Sequence, residues 1–200
     1  MRTLLLLALF ALPRLALALG LPPLNAAPLP TQAVETPTLA IDKKESSLTS
    51  HAIHKLHTVH AKSTSVDGRA RLLPSGAQVM IRVPSDSFDS QNTNRDTHIK
   101  ESIEAEKFPL IELRALVDGF VLPTTFPTTV DKTVKAQLIF HGVTKTLDLP
   151  VKIVVESATK IRATASFAIS LEAFKVERPQ LMFVKVNDEV KIDAALVFGK

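Results

Sequence analysis

From Val66 to Phe198 the chain alternates apolar and polar residues with a period of two, the spacing of strands with one dry face and one wet face. Val66, Gly68, Ala70 and Leu72 oppose Asp67, Arg69 and Arg71. Ala77, Val79, Ile81 and Val83 oppose Gln78, Met80 and Arg82. Ile111, Leu113, Ala115 and Val117 alternate with Glu112, Arg114 and Leu116, and Ala136, Leu138 and Phe140 with Lys135, Gln137 and His141. Leu147, Leu149, Val151 and Ile153 oppose Thr146, Asp148 and Lys152. Ala163, Ala165, Phe167 and Ile169 oppose Arg162, Thr164 and Ser166. Val190, Ile192, Ala194 and Leu196 oppose Lys191 and Asp193. A less regular run from Leu48 to Ala61 reads as the first strand and brings the number to eight.

Strands that bury a single face belong to antiparallel sheet. Pro74-Ser75-Gly76 and His141-Gly142 read as hairpin turns, the second tight. Eight such strands close into a barrel wide enough for side chains or one slender ligand. The same periodicity is compatible with a two-sheet sandwich. The apolar face is rich in small residues: Ala70, Ala77, Ala115, Ala136, Ala163, Ala165 and Ala194. Close-packed interiors tolerate few voids, so these alanines either face larger partners such as Phe140, Phe167 and Phe198 or leave a space.

One segment departs from the β pattern. Asn92 to Glu106 has Asn and Thr at its start, Asp96 in its first turn, Ile99 and Ile103 four apart, and Pro109 beyond its end. That pattern predicts one short helix. A second interruption, Glu172 to Asn187, joins the last two strands. Its Phe174, Leu181, Met182 and Phe183 either cover a barrel mouth or pack outside it.

The N-terminus reads as a secretory leader over 1–18. Arg2 precedes a nine-residue apolar run, Leu4 to Leu12, and Ala16 and Ala18 offer an A-x-A cleavage site. An uncleaved anchor is the alternative, and would put the protein near a membrane. Arg14 would then sit inside the span, at about 2.5–3.5 kcal/mol on insertion scales. Residues 19–39 carry Pro22, Pro23, Pro28, Pro30 and Pro37 and read as an extended tether. The folded domain is expected over 40–200.

There are no cysteines, which an exported chain of this size can do without. Losing Arg2 and Arg14 with the leader takes the formal charge from +4 to +2, too little to draw in nucleic acid. All ten aromatic residues are Phe, with no Trp or Tyr. Rings with a polar handle are therefore missing, which argues against carbohydrate or base stacking.

Four of the six histidines, His51, His54, His57 and His60, recur every third residue. On one strand the first and third face away from the second and fourth. On one helix they precess about 60° per step. Neither geometry gathers them, so no metal site is expected. Asp96, His98, Ser102 and His141 have the residue types of a hydrolase triad, but no G-x-S-x-G elbow or H-E-x-x-H accompanies them. No catalytic residue is assigned. Arg95 and Asp96 read as an ion pair or cap fixing the helix to the barrel, with direct contact to a ligand headgroup as the alternative.

Ser87-Phe88-Asp89-Ser90, Asn94-Arg95-Asp96 with His98, Lys107-Phe108-Pro109, and Ala136-Gln137-Leu138-Ile139-Phe140-His141-Gly142-Val143-Thr144-Lys145 occur in this order. Together they resemble the signature blocks of the YceI-like family, over roughly Ile41 to Phe198. The resemblance implies an eight-stranded, lipocalin-like antiparallel barrel with a helix, exported to the periplasm or secreted, that binds a polyisoprenoid or related amphiphile. The chain departs from the usual family pattern at Ile103-Glu104-Ala105-Glu106, Ala173-Phe174-Lys175 and His54-Lys55-Leu56-His57, as a divergent branch would.

The combined expectation is an all-β, lipid-binding barrel with one short helix and no covalent cofactor. Its partner is an apolar, lipid-like molecule: an isoprenoid, an isoprenoid quinone or a fatty acyl chain. The expected contact residues are Val79, Ile81, Leu113, Ala136, Leu138, Phe140, Leu149, Val151, Ala163, Ala165, Phe167, Ile192 and Ala194, with Phe140 and Phe167 foremost. A packed, non-enzymatic scaffold is the competing reading.

Overall fold

The β-strands predicted from alternation form where expected, and their edges meet in a ring. The computed structural model describes residues 36–53, 58–178, 180–181 and 184–200. The expected leader, most of the tether, His54, His57, Met182 and Phe183 lie outside the described residues. Chain contacts separate residues 1–34 from a second unit, 35–200.

The strands are β1 (Thr38–Ile41), β2 (Ser47–Ile53), β3 (Thr58–Ser63), β4 (Asp67–Leu73), β5 (Gly76–Pro84), β6 (Leu110–Asp118), β7 (Thr128–Phe140), β8 (Val143–Ser157), β9 (Lys160–Ser170), β10 (Gln180–Leu181), β11 (Val184–Lys185) and β12 (Glu189–Gly199). Eight of them, β1, β4 to β9 and β12, form a closed antiparallel barrel. The last strand is the latch. Its end pairs with β1 (Ile41 opposite Phe198), and its first half pairs with β2 (Ala52 opposite Val190). The sandwich alternative is thereby ruled out.

Two corrections concern the beginning of the ring. The run Leu48 to Ala61 is two strands rather than one, with Leu48 opposite Ser63 and Ile53 opposite Thr58. Alternation carries on through a hairpin, so it does not reveal the reversal. The strand that completes the eight is instead β1, whose first residues fall in the stretch read as tether. Leu39 there is almost wholly buried, and Pro37 accepts a hydrogen bond from the Leu72 N–H at 2.8 Å.

Turn chemistry explains the tightest reversal. His141 and Gly142, between β7 and β8, both have positive φ, 49° and 71°, as the two central residues of a type I′ turn require. A Cβ on Gly142 would stand 2.6 Å from Phe108 Cε1, so glycine is needed for space as well as conformation.

The helix α1 (Thr93–Ser102) is shorter than the predicted span. Asn92 caps it by accepting from the Arg95 N–H at 3.0 Å. Its other end closes as a Schellman motif: Glu104 N–H donates to Glu101 O at 3.0 Å and Ala105 N–H to Lys100 O at 2.9 Å. The left-handed position is filled by Glu104, at φ 47°, where glycine is usual. That is why the sequence does not mark a stop at Ser102. Arg95 and Asp96 do fix the helix: Arg95 Nε donates to Ser90 Oγ at 2.8 Å, and Asp96 accepts from Ser90 N–H at 2.9 Å and from the Ser90 hydroxyl.

Candidate functional site: the barrel cavity

Inward side chains of the ring are too small to meet at its axis. Ala165 on β9 stands directly opposite Ala194 on β12 and Val151 on β8, with Ala163 two residues away on the same face. This patch of short side chains leaves a cavity of about 920 Å³, at the upper end of the range for small-molecule sites. The small residues on the inner face are thus not fully offset by larger partners.

The cavity wall contains Val79, Ile81, Leu113, Leu138, Phe140, Leu149, Val151, Ala163, Ala165, Phe167, Ile192 and Ala194, twelve of the thirteen residues singled out from sequence. Ala136 is the exception. It points inward on β7 and is buried, but Val134 and Leu138 on either side reach the cavity and Ala136 does not. Phe140 packs at a tilt of 54° against Phe174, with ring centroids 5.6 Å apart, so it closes the wall as well as facing the space.

Sequence reasoning missed two parts of the lining. The β2–β3 hairpin contributes Leu48, Ala52, Val59 and Ala61, visible only once its reversal is known. The helix contributes Asn94, Arg95, His98, Ile99, Glu101 and Ser102. It has no buried residue and no apolar stripe, so it carries no sequence signal of a core-facing element. At the opposite end Phe120, from the loop after β6, lines the floor and is buried. The space is therefore apolar along its walls and floor and polar beneath α1.

Electrostatics reinforce that gradient. The charged groups among the described lining residues, Arg95 and Glu101, both lie on α1. The Arg95 guanidinium is engaged by Ser90, and Glu101 Oε2 stands 3.2 Å from His98 Nδ1. The Asp96 carboxyl is held below its ordinary range, first by the Ser90 hydroxyl, against the opposing effect of burial, and then by the Ser90 N–H and the nearby Arg95 charge.

Residues with the chemistry of a hydrolase triad are engaged elsewhere. Ser102 Oγ donates to the His98 carbonyl at 2.7 Å, and Asp96 is committed to Ser90. His141 is buried, its Nδ1 3.0 Å from Phe174 O and its ring centroid 4.6 Å from that of Phe108. Its Nε2 lies 3.4 Å from Glu104 Oε1 without aligning as a hydrogen bond. This histidine ties three mouth segments together. Among the described residues no group of three or more His, Cys, Asp or Glu side chains converges on a metal position.

A closed antiparallel barrel with an apolar interior and a helix at its mouth defines the class of barrel proteins that can enclose a hydrophobic ligand. The YceI-like domain model matches residues 39–198, and the chain belongs to that family. Three solved structures share the fold at low identity. A polyisoprenoid-binding domain from Saccharophagus degradans, implicated in plant cell wall breakdown, aligns with a TM-score of 0.70 and 17% identity, covering 80% of this chain and 97% of its own. Burkholderia cenocepacia BcnA aligns at 0.62 and 18%, over 78% and 98%. A Campylobacter jejuni YceI protein aligns at 0.56 and 14%, over 74% and 88%. No curated protein sequence matches the chain.

Proposed function

We propose that this protein is an exported, non-enzymatic carrier that sequesters one long apolar molecule, a polyisoprenoid, isoprenoid quinone or fatty acyl chain, inside its barrel. The observation that carries this reading is the apolar cavity of about 920 Å³. The similarity to a domain described as polyisoprenoid-binding supports the class of ligand. The leader pattern at Arg2 to Ala18 supports a periplasmic or secreted location.

The mechanism is burial. Removing about 400 Å² of hydrocarbon from water is worth roughly 10 kcal/mol at ~25 cal/mol per Å². Association and ordering cost about 4–15 kcal/mol, so a long chain is retained and a short one is not. Twofold amphiphilic character fits best, with the chain against β7 to β9 and β12 and a polar end beneath α1.

Mass spectrometry of protein purified from its native host, extracted with organic solvent, tests the reading directly. A stoichiometric prenyl or acyl species is expected. Recovery of lipid-free protein that also fails to bind a fluorescent prenyl or acyl probe would favour a scaffold with an unused interior. N-terminal sequencing of the same material is expected to start at Leu19 or Leu21.

A further inference from the structure

Two histidines of the repeat, His51 and His60, do not line the cavity, and the hairpin changes their geometry. Because Leu48 to Ala61 is two strands, His51 on β2 and His60 on β3 are directly paired. Directly opposed residues hold their Cβ atoms about 4.5–5.5 Å apart. Both lie on the outer face, since Ala52, Val59 and Ala61 take the inner one. Their Nδ1 atoms approach to 2.6 Å, with the rings edge to face at 4.8 Å between centroids.

A third residue biases which nitrogen carries the proton. His51 Nε2 stands 2.8 Å from Asp193 Oδ2 on the neighbouring strand β12. The contact is close without being aligned as a hydrogen bond, yet the carboxylate charge favours the proton on Nε2. On its other side, Asp193 Oδ1 lies 3.3 Å from Lys191 Nζ. With Nε2 protonated, neutral His51 presents the Nδ1 lone pair toward His60. His60 then donates its Nδ1–H to that lone pair. A carboxylate behind an imidazole whose other nitrogen faces outward is the usual support of a metal-bound histidine.

We propose that His51 and His60 form a cross-strand chelate for a divalent transition cation that prefers imidazole, of the Zn²⁺, Ni²⁺ or Cu²⁺ kind, with Asp193 positioning His51. The cation takes the place of the proton between the rings, and that proton, which is His60's own, moves from Nδ1 to Nε2 by exchange with water, so the pair binds as two neutral imidazoles. Metal–nitrogen bonds of about 2.0–2.1 Å put tetrahedral ligands roughly 3.3 Å apart, so the rings must separate slightly from 2.6 Å. His60 is exposed and free to turn. Two protein ligands leave the remaining positions to water or an external donor, which makes the site an exchangeable one on the outer wall.

Zn²⁺ titration of the full chain without a polyhistidine tag, by calorimetry at neutral pH in a non-coordinating buffer, tests this. One equivalent is expected in the micromolar range. His51→Ala and His60→Ala should each weaken it at least tenfold, and Asp193→Asn by roughly 10–100-fold through loss of ring support, with circular dichroism unchanged. The double variant His54→Ala with His57→Ala should retain the binding. No uptake by the parent at millimolar Zn²⁺ would overturn the proposal. So would parent-like binding by His51→Ala with His60→Ala, or a loss confined to the His54 and His57 variant.

Discussion

Two hairpins form opposite extremes of this barrel. The β7–β8 hairpin pairs without interruption from Thr128 opposite Val155 to Phe140 opposite Val143, and β8 is paired on its other side by β9. The β2–β3 hairpin pairs only from Leu48 opposite Ser63 to Ile53 opposite Thr58. Among the described residues the other edge of β3 carries one bridge, from Lys62 to Asp89 in the segment before α1, with N–H to carbonyl distances of 2.8 and 2.9 Å. The first hairpin is a wall. The second, next to α1 and lining the same cavity, is the weakly held side.

The largest expected effect lies on the latch side of the ring. Leu39→Ala should destabilise the protein by about 2–5 kcal/mol, the range for a buried leucine. Ile53→Ala, at an exposed position of β2, should cost less than about 0.5 kcal/mol. Urea unfolding of both separates a structural β1 from an incidental end of the tether.

Next comes the cavity wall. Ala165→Phe should weaken binding of a fluorescent prenyl or acyl probe at least tenfold, about 1.4 kcal/mol, while unfolding free energy changes by less than about 1 kcal/mol. A cost of about 1–3 kcal/mol would be the signature of overpacking and would show that the alanine patch has no room to give.

Lys62→Pro tests the weakly held side. It removes the N–H that donates to Asp89 O, worth about 1 kcal/mol net, and leaves the β2 ladder intact because that N–H points away from β2. Ligand release should accelerate, and amide exchange should rise in β3 but not in β7 or β8. Uniform exchange across both hairpins would dissolve the contrast between them.

The smallest effect is acid-dependent. Because Asp96 is depressed in the folded state, its contribution to α1 is complete above the ordinary carboxylate value of about 3.9 and is lost as pH falls through its lower folded value. Asp96 is largely screened by solvent, so the loss is modest. Helix amide signals in the parent should weaken below about pH 4, and Asp96→Asn should remove that step.

How much of this was legible follows from what periodicity can carry. Alternation located seven strands and the cavity face of each, because burial imposes a period of two. It did not report register, so the approach of His51 to His60 was invisible, and so was the shielding of Ala136. Composition pulled β1 into the tether, since five prolines lie between Leu21 and Thr38 while β1 itself contains none. The helix end was hidden by Glu104 in a glycine position. The polar roof went unread because its residues are ordinary solvent-facing ones, distinguished only by what lies beneath them.

One consequence of the latch concerns time rather than space. β12 is paired by β9, β1 and β2, so both seams of the ring wait for the last of its strands to be made. Until Glu189–Gly199 has emerged, β9, β1 and β2 present open edges to any other chain nearby. Nearly every contact that closes the ring joins distant parts of the sequence, which places the fold among the slower ones. A nascent chain halted just before β12 would be an almost complete sheet with nothing to close it, and that species, more than the finished barrel, is the form most exposed to misassembly.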